Sequence, residues 1–322
     1  MLRRLFSVPL CAFALLLLMG ASFVPEQASA LLNEEESAVV YSAAALETDF
    51  GSVNEAGEPV VQAAAAVSPL EAAEEKKEKL FLNGTEMSDE LHAFREDGTT
   101  YVCLSAVAQA MDETAQFSWN KESGEVSVKT QGLELTAKAG QKYVVANGRY
   151  LYLPEGIHMD LDRVTVPLWV VAKAFDATVE WDGETESVIV TSGSGAIESG
   201  DSFYVENDLF WLSRIIYAES GNQPLEGQMA VGNVVMNRVD NPVFPDTVKG
   251  VISQKNQFSP YKSGALANRT PNTSSVIAAK LVLDGGVVEE TEGALYFDSS
   301  ERSWAARNKE CIAAIGGHKF YR

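Results

Sequence analysis

The sequence predicts an α+β chain with two folded domains, a duplicated strand-and-helix module followed by a helix-rich domain. Three observations lead there. One pattern occurs twice between residues 80 and 191, offset by 64 positions. From Asp208 onward the apolar residues take helical spacing. Ahead of both lies a tract too rich in charge and small residues to build a core.

Residues 1–30 read as a signal peptide. Arg3 and Arg4 supply the positive start, Val8 to Val24 an apolar run containing Leu15 to Leu18, and Ala28-Ser29-Ala30 a small-residue cleavage site. The alternative is an uncleaved anchor, but Pro25-Glu26-Gln27 interrupts the apolar stretch just before that site. Cys11 stands too early to resemble a lipid-attachment cysteine. No later segment is long and apolar enough to span a bilayer, so the expected product is exported. Residues 31–79, with Glu34-Glu35-Glu36 and the alanine tracts 43–45 and 63–66, read as a disordered acidic, Ala-rich linker.

Residues 80–191 carry the repeat. Phe81-Leu82-Asn83-Gly84 aligns with Val145-Ala146-Asn147-Gly148, and Val102 to Asp112 with Val166 to Asp176. Trp119 aligns with Trp181 after a two-residue gap. Asn-Gly between apolar stretches predicts a hairpin, because both residues tolerate positive φ. Apolar positions 104, 107, 108 and 111 share one face of a short helix, and 126–128 and 188–190 read as strands. Each unit is therefore expected to run hairpin, helix, then a hairpin carrying the Trp. On this pattern the block resembles the copper amine oxidase N-terminal, or stalk, domain. Copper does not follow from that name, since His92, His158 and Cys103 are scattered and His158 reads as an ordinary strand or loop residue. Tyr143, Tyr150, Tyr152, Trp169 and Trp181 either pack in the core or stack on sugars. The domain reads as a spacer or targeting module, joined by a Gly/Ser linker, 192–200, to the last domain, 201–322.

In that last domain Leu209, Leu212, Ile215, Ile216 and Glu219 follow three- and four-residue spacing, with Asn207 or Asp208 placed to cap the start. Gly221 is expected to stop this helix at a C′ position, and Pro224 to open a second, Leu225 to about Val239, apolar on most of its circumference. Glu219 falls in the last turn, beside the apolar face. Burial and the negative helix end both disfavour its anion, which suits a group that must donate a proton. Taken alone, it reads better as a surface or helix-terminal glutamate.

Its neighbours add to the case. Tyr217-Ala218-Glu219-Ser220-Gly221 and Glu226 to Val239, followed by Phe244 to Val248, Gln257-Phe258-Ser259, Gly293 to Phe297 and Ile315 to Arg322, resemble the SleB/CwlJ-type cell-wall hydrolase family. The resemblance implies a helix-rich, lysozyme-like catalytic domain with a short β-hairpin, acting on the MurNAc–GlcNAc strands of peptidoglycan with Glu219 as its one essential glutamate. Ser220 stands where relatives usually carry alanine. Gln257, Phe258 and Ser259 offer an amide, an aromatic face and a hydroxyl to an N-acetylated sugar, with Tyr296, Phe297, His318 and Tyr321 as the opposite wall. Core packing or loop fixing is the alternative for each. Trp304 is structural or lies at the groove edge, and Asn237-Arg238 are expected to satisfy carbonyls or a carboxylate.

The resemblance favours lytic transglycosylation, in which Glu219 acts first as acid and then as base and leaves a 1,6-anhydromuramoyl end. Ordinary hydrolysis would need a second carboxylate from Glu226, Asp240, Asp246, Asp284, Glu289, Glu290, Glu292, Asp298 or Glu301, none of them in a recognisable motif. A hydrolytic muramidase or glucosaminidase, and a non-catalytic wall-binding or spore-coat assembly protein, are the competing readings. A zinc amidase lacks ligands. The three histidines show no ligand spacing and Cys103 and Cys311 fall in different domains, so no metal, cofactor or disulfide framework is expected. The net charge of −20 argues against nucleic acid as a partner and against bulk adhesion to an anionic wall, which leaves a shaped groove as the means of recognition. The expected location is outside the cell, at the wall or the spore cortex.

Overall fold

A computed structural model describes residues 79–160, 163–255 and 257–322; the signal peptide and almost all of the linker expected above lie outside the described residues. What is described is mixed α and β, β-rich first and helical after.

The β-rich part opens with β1 (Lys79–Leu82) and β2 (Thr85–Glu86), joined through Asn83-Gly84 at φ 50° and 82°. These are the positive values that the two-residue hairpin turn requires. A second hairpin, β3 (Phe94–Glu96) and β4 (Thr99–Cys103), leads into α1 (Leu104–Met111), and β5 (Gln116–Asn120) and β6 (Glu125–Lys129) form a third. After β7 (Glu134–Lys138) the order recurs. β8 (Tyr143–Ala146) and β9 (Arg149–Tyr152) turn at Asn147-Gly148, and β10 (His158–Asp160) and β11 (Arg163–Pro167) precede α2 (Leu168–Ala174). β12 (Thr178–Asp182) and β13 (Ser187–Thr191) close the set. The pattern thus contains one hairpin more than expected, β3–β4 and β10–β11, placed directly before each helix. These strands are short and partly polar, which hid their alternation.

Pairing crosses between the two stretches. The sheets run β12-β13-β1-β2, β10-β11-β4-β3 and β5-β6-β7-β8-β9, with β1 and β13 parallel and β4 and β11 antiparallel. Each sheet therefore draws strands from both stretches, and the first joins the two ends of the module. They enclose a core of Leu80, Val102, Leu104, Val107, Val128, Leu135, Val166, Val171 and Phe175. His158 lies in β10 opposite Thr165, an ordinary strand residue.

Residues 192–200 connect the two parts but are fixed in place. Ile197 is buried in the β-rich core, its N–H donates to Ala174, and its carbonyl accepts from Asn147 Nδ2 at 3.0 Å. The N–H groups of Gly195 and Gly200 likewise donate to the carbonyls of Phe175 and Asn147, so one apolar side chain and three backbone–backbone bonds hold a segment whose composition reads as loose.

The helical part comprises α3 (Gly200–Phe203), α4 (Glu206–Ser220), α5 (Leu225–Val239), α6 (Val248–Ser253), α7 (Ser259–Lys262) and α8 (Thr273–Leu283), then β14 (Tyr296–Asp298), α9 (Trp304–Asn308), β15 (Cys311–Ile315) and β16 (His318–Tyr321). α5 is central, with Met229, Ala230, Val231, Val234 and Val235 fully buried between α4 and α8. A Cβ on Gly232 would sit 3.0 Å from Ile216 and 3.1 Å from Val282, so a small residue here is what lets both neighbours approach. The expected hairpin β15–β16 gains β14 as a third strand, with β16 in the middle.

The β8–β9 hairpin packs against the helical part. Tyr152 is buried in the helical core, with Tyr143 and Tyr150 packed against it, so these three of the five aromatics serve packing. Beside them Asp284 accepts from Arg149 Nε at 2.7 Å and Nη2 at 2.8 Å, from Lys173 Nζ at 2.7 Å and from the Tyr204 hydroxyl at 3.4 Å. Glu226 accepts from Lys142 at 2.6 Å and from the Tyr152 hydroxyl at 3.0 Å. No helix among the described residues is long and apolar enough to cross a membrane.

Candidate active site

Glu219 is the penultimate residue of α4, in line along one face with the buried Leu212, Ile215 and Ile216. The helix begins two to three residues earlier than its sequence suggests. Val205 is the N-cap, without a side-chain hydrogen bond, and Glu206 and Asp208 in the first turn meet the positive helix end instead of Asn207 or Asp208 capping it. At the other end Gly221 is right-handed, φ −61°, not the left-handed C′ residue expected. Glycine is needed there for space: a Cβ would lie 2.6 Å from both the ring and the carbonyl of Tyr217. Ser220, fully buried, donates to the Ile216 carbonyl at 2.9 Å, a bond alanine would lack.

The Glu219 carboxyl opens into a cleft of about 630 Å³ together with Gln257, Phe258, Tyr296, Phe297, Asp298, Trp304 and His318. Burial pushes its pKa above the ordinary glutamate value, and the Arg269 guanidinium pulls it partly back. A carboxyl biased toward its acid form, in a cleft walled by aromatic rings and an amide, is equipped to protonate a leaving oxygen.

The walls are organised by Arg238, near the end of α5. Its Nε donates to the Leu295 carbonyl at 2.7 Å and its Nη1 to Gln257 Oε1 at 3.0 Å. Its guanidinium carbon lies 5.2, 5.5 and 5.4 Å from the ring centres of Phe244, Phe258 and Tyr296. Burial depresses its pKa to about 10, which leaves it charged at neutral pH. With Oε1 of Gln257 engaged, the NH₂ of that side chain is the donor turned to a ligand. Asn237 donates to the Ala294 carbonyl at 3.0 Å, so this pair satisfies carbonyls.

The opposite wall is the three-stranded sheet. Phe297 packs edge-on to His318, with 5.4 Å between ring centres, and Tyr296 packs against Trp304 at 5.5 Å. Burial lowers the His318 pKa, which favours neutral imidazole. The sheet is tethered to the α4–α5 loop by Gln223, whose Oε1 accepts from Gly317 N–H at 2.7 Å.

Of the residues singled out in the sequence, Glu219, Gln257, Phe258, Tyr296, Phe297 and His318 come together in this one cleft. Ser259 and Tyr321 do not. Ser259 begins α7 and lines an adjoining hollow of about 570 Å³ on the far side of Gln257 and Phe258. Tyr321 is 2% exposed in the central strand, paired with Tyr296 and Cys311. Trp304, 54% exposed, stands at the groove edge. Arg238, Ser299 and Asp298 were not singled out for the walls. Asp298 is the one residue of the nine candidate second carboxylates that lines the cleft. Among the described residues no group of three or more His, Cys, Asp and Glu could hold a metal ion, and Cys103 and Cys311 are free thiols.

Comparison with known proteins follows the same division. Residues 222–321 match the cell wall hydrolase family, a match that begins just after Glu219, and residues 81–190 match the copper amine oxidase N-terminal domain. The spore cortex-lytic enzyme of Bacillus cereus is 36% identical over 121 residues, covering 36% of this chain and 45% of that protein. That of Oceanobacillus iheyensis is 31% identical over 141 residues, covering 43% and 46%. The chain thus spans under half the length of these relatives. The catalytic domain of the germination-specific lytic transglycosylase SleB from Bacillus anthracis is 32% identical, covering 39% of this chain and all of that one, at a TM-score of 0.34.

Proposed function

We propose that this chain, which carries a cell wall hydrolase domain behind a copper amine oxidase N-terminal domain, is an exported enzyme that cleaves the MurNAc–GlcNAc strand of peptidoglycan. The observation that carries the reading is Glu219, its carboxyl biased toward the acid form by burial at the head of a cleft walled by aromatic rings and an amide. The relatives' name, spore cortex-lytic enzyme, supports cortex peptidoglycan as the substrate and a site of action outside the cell.

Glu219 is the catalytic residue. Its proton passes to the glycosidic oxygen as the C1–O bond breaks, and the resulting carboxylate then takes the proton of the muramoyl C6 hydroxyl. That oxygen closes on C1, so no water is consumed and a 1,6-anhydro end forms. Gln257, Phe258, Tyr296, Phe297 and His318 bind the flanking sugars, with Ser259 and Tyr321 outside the contact set. Asp298 favours a second reading, in which it orients a water that attacks C1 and gives a reducing end.

Mass analysis of fragments released from purified cortex and from vegetative sacculi separates these. Anhydro ends are expected. Reducing ends carrying one added water would assign the chemistry to hydrolysis, and no fragments from either source would remove the enzymatic reading.

A further inference from the structure

The β-rich domain has a hollow of its own, of about 280 Å³, formed where the β3–β4 turn meets the start of α2 and the edge strand β12. Its lining includes Arg95, Thr99, Thr100, Trp169, Glu180 and Trp181. Trp169 is 41% and Trp181 51% exposed, and the Arg95 guanidinium carbon lies 4.8 Å from the Trp181 ring centre. The exposure has a local cause. In α2 the residues around Trp169, Leu168, Val170 and Val171, take the core positions, and β12 is an edge strand whose residues are almost all exposed. Neither indole contributes to the core of its own domain, and two indoles converging on one hollow with a cation, a carboxylate and two hydroxyls form the usual make-up of a small-ligand site.

We propose that this hollow is a second glycan-binding site, which holds a peptidoglycan strand while the Glu219 cleft works on it; the proposal rests on the reading that peptidoglycan is the substrate. A pyranose ring presents an apolar C–H face for an indole and a rim of hydroxyls. Thr99 and Glu180 supply partners for that rim, and the cation beside the Trp181 ring suits the carbonyl oxygens of the N-acetyl and lactyl groups of a muramoyl residue. Net charge bears on the choice of occupant. A chain at −20 is repelled by the anionic wall at long range, so retention there depends on short-range stacking and hydrogen bonds of this kind.

The test uses the full chain carrying Glu219→Gln, so that glycan is bound without being cut, in co-sedimentation with purified sacculi and with glycan strands stripped of their peptides. Replacing Trp169 and Trp181 together with alanine is expected to weaken retention about tenfold on both. Trp181→Phe should keep most of it. Trp119→Ala serves as the control, since Trp119 is 45% exposed on β5 but does not line the hollow. Should the double variant melt early, Trp181→Gln at its exposed edge position carries the same expectation. Retention equal to the parent in the tryptophan variants, or binding of free stem peptides but not of stripped strands, would overturn the site. Failure of the wild type to release fragments would remove the enzymatic reading alone, because retention is read without turnover.

Discussion

Asp284 offers a quantitative test of how the two parts are joined. Its side chain is 1% exposed and faces Arg149, 10% exposed, in a two-point contact, with Lys173 as a second cation. Asp284→Asn keeps the shape and removes the charge, leaving the Arg149 guanidinium buried without its counter-ion. Breaking a buried pair in this way costs about 3–5 kcal/mol. Lys173 is 37% exposed and regains water, so it adds little. The lower figure, about 3 kcal/mol, is therefore expected, which at this size lowers Tm by about 6–12 °C. Arg149 and Lys173 belong to the β-rich part and Asp284 to the helical part, so the loss should appear in one shared transition followed by far-UV circular dichroism and by tryptophan fluorescence. A loss under about 1 kcal/mol, or a parent that melts in two separate steps, would refute the reasoning.

Two further outcomes follow from the cleft. Arg269→Gln removes the cation that holds the Glu219 pKa down, so the alkaline limb of the pH–rate profile should move to higher pH; an unmoved or lowered limb contradicts the assignment. Gly316→Ala places a side chain on a residue at φ +57°, with its Cβ driven against Gln223 Oε1. It should cost about 1–3 kcal/mol in chemical denaturation and raise KM as the sheet wall loosens, whereas parent-like values of both would discount the tether.

The helix-rich half was legible where local rules decide the outcome. α5 falls on Leu225–Val239, the predicted bounds, because Pro224 sets its start and its run of apolar and small residues suits the centre of the domain. The repeated Asn-Gly turns and the helix after Cys103 were equally plain. The cleft was legible in part. Its walls come from positions 219, 238, 257, 296–298, 304 and 318, and only tertiary packing brings them together. Arg238 read as a fold-supporting residue, and it is one, yet the same guanidinium also aligns Gln257, Phe258 and Tyr296. Asp298 could not be told from eight other acids until β14 paired with β16. The aromatic set of the β-rich domain divides for the same reason. Three tyrosines meet the helical part, and two tryptophans remain exposed. Spacing alone cannot show that a second domain covers one hairpin.

The most direct measurement is the rate of glycan cleavage by Glu219→Gln, taken with its melting curve. Glutamine keeps the size and loses the transferable proton, so cleavage of cortex peptidoglycan should fall by about 10²–10⁴-fold. The fold should not suffer. A carboxyl whose folded pKa is raised stabilises the fold below the ordinary glutamate pKa, and that contribution is lost as pH rises through the raised value. Above the ordinary glutamate pKa, neutral pH included, the buried carboxyl is therefore a net cost, so the variant should melt at or above the parent temperature. A folded variant that turns over at close to the parent rate would contradict the assignment of Glu219 as the catalytic acid.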